Sequence, residues 1–224
     1  MRFSIVIPTY EYKGLAPELL DKLIGSINEQ TFKDYEIVIS DHSTTDIVKN
    51  YLSKWDLPIV YYKNERGRGN SSINMNEGIK ISNGEFIKIM HMDDWFCNPN
   101  TLELIDNSIT ENPNKSWGGV GFNHYYVERN VVERYVRPQI NREIRTLLGC
   151  PSVSFFINDG NFYDENLIII NDSDMHIRLG KKYGQPIFVN DYCVTVGMSE
   201  NQVSNQVSGK QHADEIAYYK NKNF

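Results

Sequence analysis

The sequence predicts an α/β fold, a mostly parallel central sheet with flanking helices, and three observations carry that prediction. Short apolar runs, FSIVIP (3–8), YEIVIS (35–40) and FIKIM (86–90), have the length and β-branched content of strands buried on both faces. After the first two, apolar residues recur three and four apart, the spacing of one helix face. The two kinds of segment alternate at short intervals, the pattern of parallel strands joined by crossover helices.

The first strand is followed by Leu19, Leu20, Leu23, Ile24 and Ile27 at helical spacing, and YEIVIS by Ile47, Val48, Tyr51, Leu52 and Trp55. IVYYK (59–63) is a third strand, a weaker helix is predicted over 71–82, and 86–90 is the fourth strand, with a helix beginning near Asn100. After Asn112 the style changes. WGGVGFNHYYVE and NVVERYVRP read as longer antiparallel strands, NREIRTLL as a short helix, PSVSFFI (151–157) as a further strand and NDGNF as a turn. Residues 173–183 form the next predicted helix, with Met175, Leu179 and Tyr183 inward. SENQVSNQVSGKQHADE, beyond Met198, is polar and aperiodic and reads as a mobile loop or lid. The tail YYKNKNF reads as a frayed terminus, or alternatively as a contact with a membrane surface. No stretch rich in Gly, Pro or Ser marks a boundary, so 1–112 and 113–224 are predicted to be two halves of one domain.

Composition narrows the function classes. Acidic residues number 29 and basic ones 23, a net charge of −6, and no run of lysines or arginines offers a track for a phosphate backbone, so nucleic acid is excluded as a partner. Three cysteines, Cys97, Cys150 and Cys193, have neither the parity of a disulfide framework nor the spacing of a zinc site. The apolar run after Met1 is too short for a signal peptide, and nowhere do 18 apolar residues follow one another. The expected location is the cytoplasm, with membrane association at most peripheral, at the inner face.

Chemistry concentrates at the strand ends. In open parallel sheets ligands bind beyond the carboxyl ends of the strands, and Pro8-Thr9-Tyr10, Asp41-His42-Ser43 and Asp93-Asp94 all fall there. Adjacent carboxylates repel, and desolvation at a strand end adds to that cost unless a cation or donors offset it. A divalent metal is one resolution; a solvated turn in which Asp93 or Asp94 caps the helix near Asn100 is the other. Farther on, the apolar run 167–170 directly precedes Asp172, which places that acid where a buried segment emerges and a helix begins. Asp172 or Ser173 as the cap of that helix is the alternative reading.

FSIVIPTYEYKGLAPELLDKLIGSINEQTFKDYEIVISDHST, followed by NERGRGNSSINMNEGIKISNGEFIKIMHMDDWF, resembles the family 2 glycosyltransferases, inverting enzymes with the Rossmann-like GT-A fold; the likeness resumes at NDSDMHIRLGKKYG (171–184). The resemblance implies that 1–112 is the half that binds a nucleotide sugar and 113–224 the acceptor-side half. It implies that Pro8, Thr9 and Tyr10 line the base and ribose, and that Asp41 accepts a hydrogen bond from a ring N–H of the base. UDP- or dTDP-sugars are then favoured, with GDP-sugars the weaker option, because a carboxylate accepts without donating. Arg66 or Arg68 would meet diphosphate oxygens in a charge-assisted pair. Asp93 would contact the ribose and Asp94 a divalent metal, Mn²⁺ or Mg²⁺. Asp172 would be the catalytic base, with Arg178 its helix neighbour, and the acceptor a hydroxyl of a glycan or lipid-linked glycan.

The chain departs from the family pattern at three places. His91 stands where many relatives carry an acid and reads as a packed residue or a donor behind the metal site. Asn171 replaces a glutamate. The loop after the last strand, Met198-Ser199-Glu200-Asn201, has no histidine until His212, so a metal ligand from that loop is not expected. Two rival functions share the pattern: a nucleotide-sugar binding module without turnover, and a sugar nucleotidyltransferase. The second would carry a glycine-rich, arginine-containing loop after the first strand, where this chain reads TYEYKG.

Overall fold

Residues 1–139, 148–200, 202 and 207–223 are described in the computed structural model. In chain order the regular elements begin β1 (Phe3–Thr9), α1 (Ala16–Asn28), β2 (Tyr35–Asp41), α2 (Ile47–Leu52), β3 (Ile59–Lys63), α3 (Ser71–Lys80) and β4 (Phe86–Ile89). They continue with β5 (Trp95–Phe96), α4 (Thr101–Glu111), β6 (Trp117–Tyr126), β7 (Val131–Val136), β8 (Ser154–Ile157), α5 (Asn171–Tyr183), β9 (Ile187–Met198) and α6 (Gly209–Asn223). The strands form one sheet in the order β3-β2-β1-β4-β8-β6-β9-β5, with β7 paired on β6. The first four run parallel. β8 is antiparallel to both β4 and β6, and β7 makes the expected antiparallel pair with β6. The long β9 returns parallel to β6.

The continuous apolar runs are explained by burial on two faces. Side chains alternate across a strand, so Phe3, Ile5 and Ile7 of β1 pack against Leu20, Leu23, Ile24 and Ile27 of α1. Val6 points the other way, with Val38 and Ile87, against Met75 and Ile79 of α3. Each aliphatic side chain so buried contributes about 1.5–3 kcal/mol. α3 has a weak apolar stripe because it approaches the sheet through a glycine: a Cβ on Gly78 would lie 2.5 Å from Val6 Cγ1. Close contact replaces bulk there.

Several expectations need correction. α5 starts two residues earlier than predicted, at Asn171, and residues 151–153 form a 3-10 turn before β8. The short helix read in NREIRTLL falls on 141–147, outside the described residues, apart from its last leucine. The polar stretch read as a loop or lid includes residues 201 and 203–206, outside the described residues, and from Gly209 it enters α6; of the tail read as frayed, 218–223 is part of that helix. Tyr219 is fully buried and packs with Leu167 and Ile170. Glu215 accepts the backbone N–H groups of Ile168 and Ile169 at 3.1 and 2.9 Å. Lys222 donates to Asp164 and to Asp174 at 2.6 and 2.9 Å. No polar residue in this tail has a helical period of its own; its helix is ordered by partners some 50 residues upstream, which periodicity does not reveal. Among the described residues no helix is long and apolar enough to cross a membrane.

The α6 clasp yields a stability prediction. Asp174 is fully buried and Lys222 only 30% exposed, so Lys222→Met leaves a buried carboxylate with one cation fewer. The expected cost is about 1–3 kcal/mol. For a chain this size that lowers the melting temperature by roughly 2–12 °C, to be read by thermal unfolding at neutral pH. Unchanged melting would mean that the Lys222 ion pairs do not help to hold α6.

Candidate active site

The carboxyl ends of β1 and β2 meet in register, with Thr9 opposite Asp41. Asp41 is fully buried and its carboxylate is already well supplied with donors. Oδ1 accepts from Thr9 Oγ1 at 3.2 Å, Ser43 N at 2.9 Å and Ser43 Oγ at 2.5 Å. Oδ2 accepts from the Tyr61 hydroxyl at 2.7 Å and from Lys63 Nζ at 3.5 Å. A ring N–H could therefore join only by exchange at Oδ2. Tyr10, just past β1, is 40% exposed and meets Tyr12 edge to face at 5.2 Å. Its hydroxyl pKa is raised by burial, then by Tyr12 and by Asp93, so the first and fourth strand ends lie within electrostatic reach of one another.

Beyond β4 the chain turns through Asp93 and Asp94 into β5, which pairs with β9. Asp94 is 3% exposed and its Oδ1 accepts the Gly197 N–H at 2.9 Å. Gly197 is required by that approach, since a Cβ there would sit 2.3 Å from the Asp93 carbonyl oxygen. Asn100 makes no side-chain cap to α4, and Asp94 spends its hydrogen bond on β9, so the capping explanation of the paired acids does not hold for Asp94. His91 donates its backbone N–H to the buried Ser152 hydroxyl at 2.9 Å. The structure brings His91, Asp93 and Asp94 together, with one potential ligand atom from each all within 4.8 Å of one another. His91 Nε2 is buried without a hydrogen-bond partner.

Burial, and then the charge of Asp93, holds the Asp94 carboxyl well above the usual carboxylate range. Asp93 is also raised, by burial. Two acids in this condition gain most from a cation, and with an imidazole nitrogen beside them the donor set fits a divalent metal. One cation is already close: Lys88, the lysine inside FIKIM, is fully buried and donates to the carbonyls of Ile89 and Ser152. Burial pushes its amine down to about 7.

Asp172 lies in the first turn of α5, where Ile170 holds the cap position without a side-chain bond. Its Oδ1 accepts the adjacent Ser173 N–H, at 2.6 Å, and burial pushes its carboxyl up to about 7. Asp172 and Asp94 share a neighbour: the Cys150 thiol is raised by burial and then by both carboxylates. Arg178 pairs with Asp174 at 2.7 Å rather than with Asp172. Asn171 donates to Ser72 Oγ at 2.9 Å, tying α5 to α3. The two candidate phosphate arginines differ. Arg66 is clasped by Glu165 at 2.5 Å and Glu77 at 3.2 Å, whereas Arg68, with Glu65 at 3.9 Å, is 41% exposed.

Ser152, Gly197, Tyr61 and Cys150 were not singled out by sequence reasoning. None carries a motif; each is placed by strand order, and only for Lys88, a charge inside a buried strand, was a signal available.

The profile of glycosyl transferase family 2 matches residues 4–170. A GalNAc(5)-diNAcBac-PP-undecaprenol beta-1,3-glucosyltransferase of Campylobacter jejuni is 34% identical over 96 residues, covering 42% of this chain and 30% of that protein. Among solved structures, Staphylococcus aureus TarS 1-349 in complex with UDP-GlcNAc superposes with a TM-score of 0.70 at 21% identity, covering 93% of this chain and 62% of that one. The mannosyltransferase PcManGT of Pyrobaculum calidifontis, in complex with GDP-Man and Mn2+, gives 0.67 at 17% identity, covering 99% and 63%. The matched part thus spans under a third of the curated relative's length, and the structural likenesses speak to the fold.

Proposed function

The chain belongs to glycosyl transferase family 2, and from that premise we propose that it moves a sugar from a nucleoside diphosphate donor to a hydroxyl acceptor, with inversion at the anomeric carbon. Residues 1–112 bind the donor and 113–224 form the acceptor side. The observation that carries this reading is the grouping of Asp93, Asp94 and His91 at the end of β4, with Asp172 linked to Asp94 through their common neighbour Cys150. Pro8, Thr9 and Tyr10 line the base and ribose, Asp93 meets the ribose, and Asp94 holds a divalent cation. When bound, that cation offsets the negative charge developing on the leaving diphosphate. Asp172 accepts the proton of the attacking hydroxyl. Arg68 is the freer of the two arginines to meet phosphate; Arg66 does so only by leaving Glu165. The acceptor is a glycan or a lipid-linked glycan, in keeping with the glucosyltransferase that this chain resembles. The proposed location is cytoplasmic, peripheral to the inner face of the membrane.

The test is a thermal-shift panel of UDP, dTDP, GDP and ADP and their sugars, each with and without Mn²⁺. Ligand at about 100 times its dissociation constant adds roughly 2.7 kcal/mol, which raises the melting temperature by about 5–11 °C. UDP or dTDP is expected to shift it most. Asp41→Ala should weaken the preferred nucleotide more than the others, and Tyr61→Phe, which frees Oδ2 for a ring N–H, should not weaken it. Equal shifts with all four nucleotides would remove Asp41 from base recognition.

A further inference from the structure

We propose that His91 is itself a ligand of the cation, through Nε2, and that this nitrogen makes the site select Mn²⁺ over Mg²⁺. The inference rests on the reading above that a divalent cation binds at Asp94. It goes beyond that reading by making the residue that departs from the family pattern the one that sets the choice of metal.

Three features of the site support it. His91 Nε2 is buried and has no hydrogen-bond partner; a buried polar atom left alone is costly, and coordination removes the cost. The spacing of the three residues suits a shared ion: ligand bonds of about 2.0–2.2 Å place neighbouring ligand atoms about 3 Å apart, and here one ring nitrogen of His91 and one oxygen from each acid lie within 4.8 Å of one another before any side-chain rotation. The three residues are also anchored from behind. The His91 backbone is held by Ser152 and Asp94 by the Gly197 N–H, while the Asp93 carbonyl packs against Gly197 too closely to admit a Cβ. The convergence is therefore built into the β4 to β5 turn and its β9 neighbour.

Metal selectivity follows from donor chemistry. Mg²⁺ demands near-octahedral oxygen ligation and gives up its waters reluctantly, whereas imidazole suits first-row transition ions. A site that adds an imidazole to the Asp94 carboxylate therefore loses more with Mg²⁺ than one whose protein ligands are all oxygens. His91→Asp replaces the nitrogen ligand by an oxygen and is expected to narrow the preference for Mn²⁺ by about tenfold or more.

The experiment is pulsed electron paramagnetic resonance of Mn²⁺ added with UDP to the full chain carrying ¹⁵N-labelled histidine, together with displacement of Mn²⁺ by Mg²⁺. The wild type should show a ¹⁵N coupling to bound Mn²⁺, and needs no variant to do so. His91→Asp should bind Mn²⁺ without that coupling and release it at lower Mg²⁺ concentration than the wild type; His91→Gln serves as a second variant of similar bulk. Mn²⁺ bound to the wild type without nitrogen coupling would overturn the role of His91 and leave the cation at Asp94 standing. No bound Mn²⁺ at all, with or without UDP, would overturn both.

Discussion

Asp172→Asn is expected to lower turnover by about 10²- to 10⁴-fold while leaving the affinity for the donor unchanged. The size of the effect follows from the proposal that this carboxylate takes the acceptor proton, which an amide cannot do. A cap role would give a different result: asparagine caps as well as aspartate, so the cost would be a few tenths of a kcal/mol and turnover would survive. The position of Asp172 argues against a cap, because it lies inside the first turn of α5, past the cap position held by Ile170, and its Oδ1 accepts the next N–H. The pH dependence provides a second readout. Burial pushes the carboxyl up to about 7, so the base is protonated in acid and turnover should rise with pH toward about 7, a bound cation moving that limb lower. Stability runs the other way. In the unfolded chain the group titrates near 3.9; between that value and about 7 the folded state holds the extra proton, so this group's stabilising contribution is lost as pH rises through the window. Asp172→Asn should flatten that slope and melt higher than the wild type at pH 8. Turnover and donor affinity of this variant, with melting curves at pH 5 and pH 8, check all three. Near-normal turnover would remove Asp172 from the mechanism.

Asp94→Asn is expected to abolish most of the tightening that Mn²⁺ gives a nucleoside diphosphate, a loss of at least about 10- to 100-fold in metal affinity, since even residues behind a metal's own ligands cost that much. The variant is informative because it spares the architecture. An asparagine Oδ1 still accepts the Gly197 N–H that Asp94 now accepts at 2.9 Å, so the junction of the β4 to β5 turn with β9 should persist. What goes is one negative charge from a pair whose burial and mutual repulsion hold Asp94 far above the normal carboxylate range. The apo variant is accordingly expected to be no less stable than the wild type, even as it loses metal. Titration of UDP with and without Mn²⁺ reads the first effect and thermal unfolding the second. Full wild-type activity in excess chelator would refute the metal assignment.

The parallel half was legible because its signals are local. A strand covered on both faces must be apolar along its whole length, as in SIVI of β1, and a crossover helix must show a stripe toward the sheet, as Leu20, Leu23, Ile24 and Ile27 do. The carboxylates at the strand ends were legible for the same reason, because a charge directly after a buried strand has to be offset by something. The tail was not: α6 is held by Glu215, Tyr219 and Lys222 meeting residues 164–174, and no local pattern in a polar stretch announces a partner that far away.

The sequence by itself determined which residues carry charge at the ends of which strands, and with them an α/β sheet whose strand-end edge holds Thr9, Asp41, Asp93 and Asp94. The tertiary structure decided the state of each of those groups. Asp41 is surrounded by donors from β1, β3 and its own loop, and Arg66 is taken up by Glu165, 99 residues away. His91, read from sequence as a packed residue or a donor behind the metal site, is brought to the paired acids, and its Nε2 has no hydrogen-bond partner. The physical reason is that a side chain's charge is written in its residue type, whereas burial, hydrogen-bond partners and pKa come from the strands beside it, and here those strands lie up to 103 residues apart.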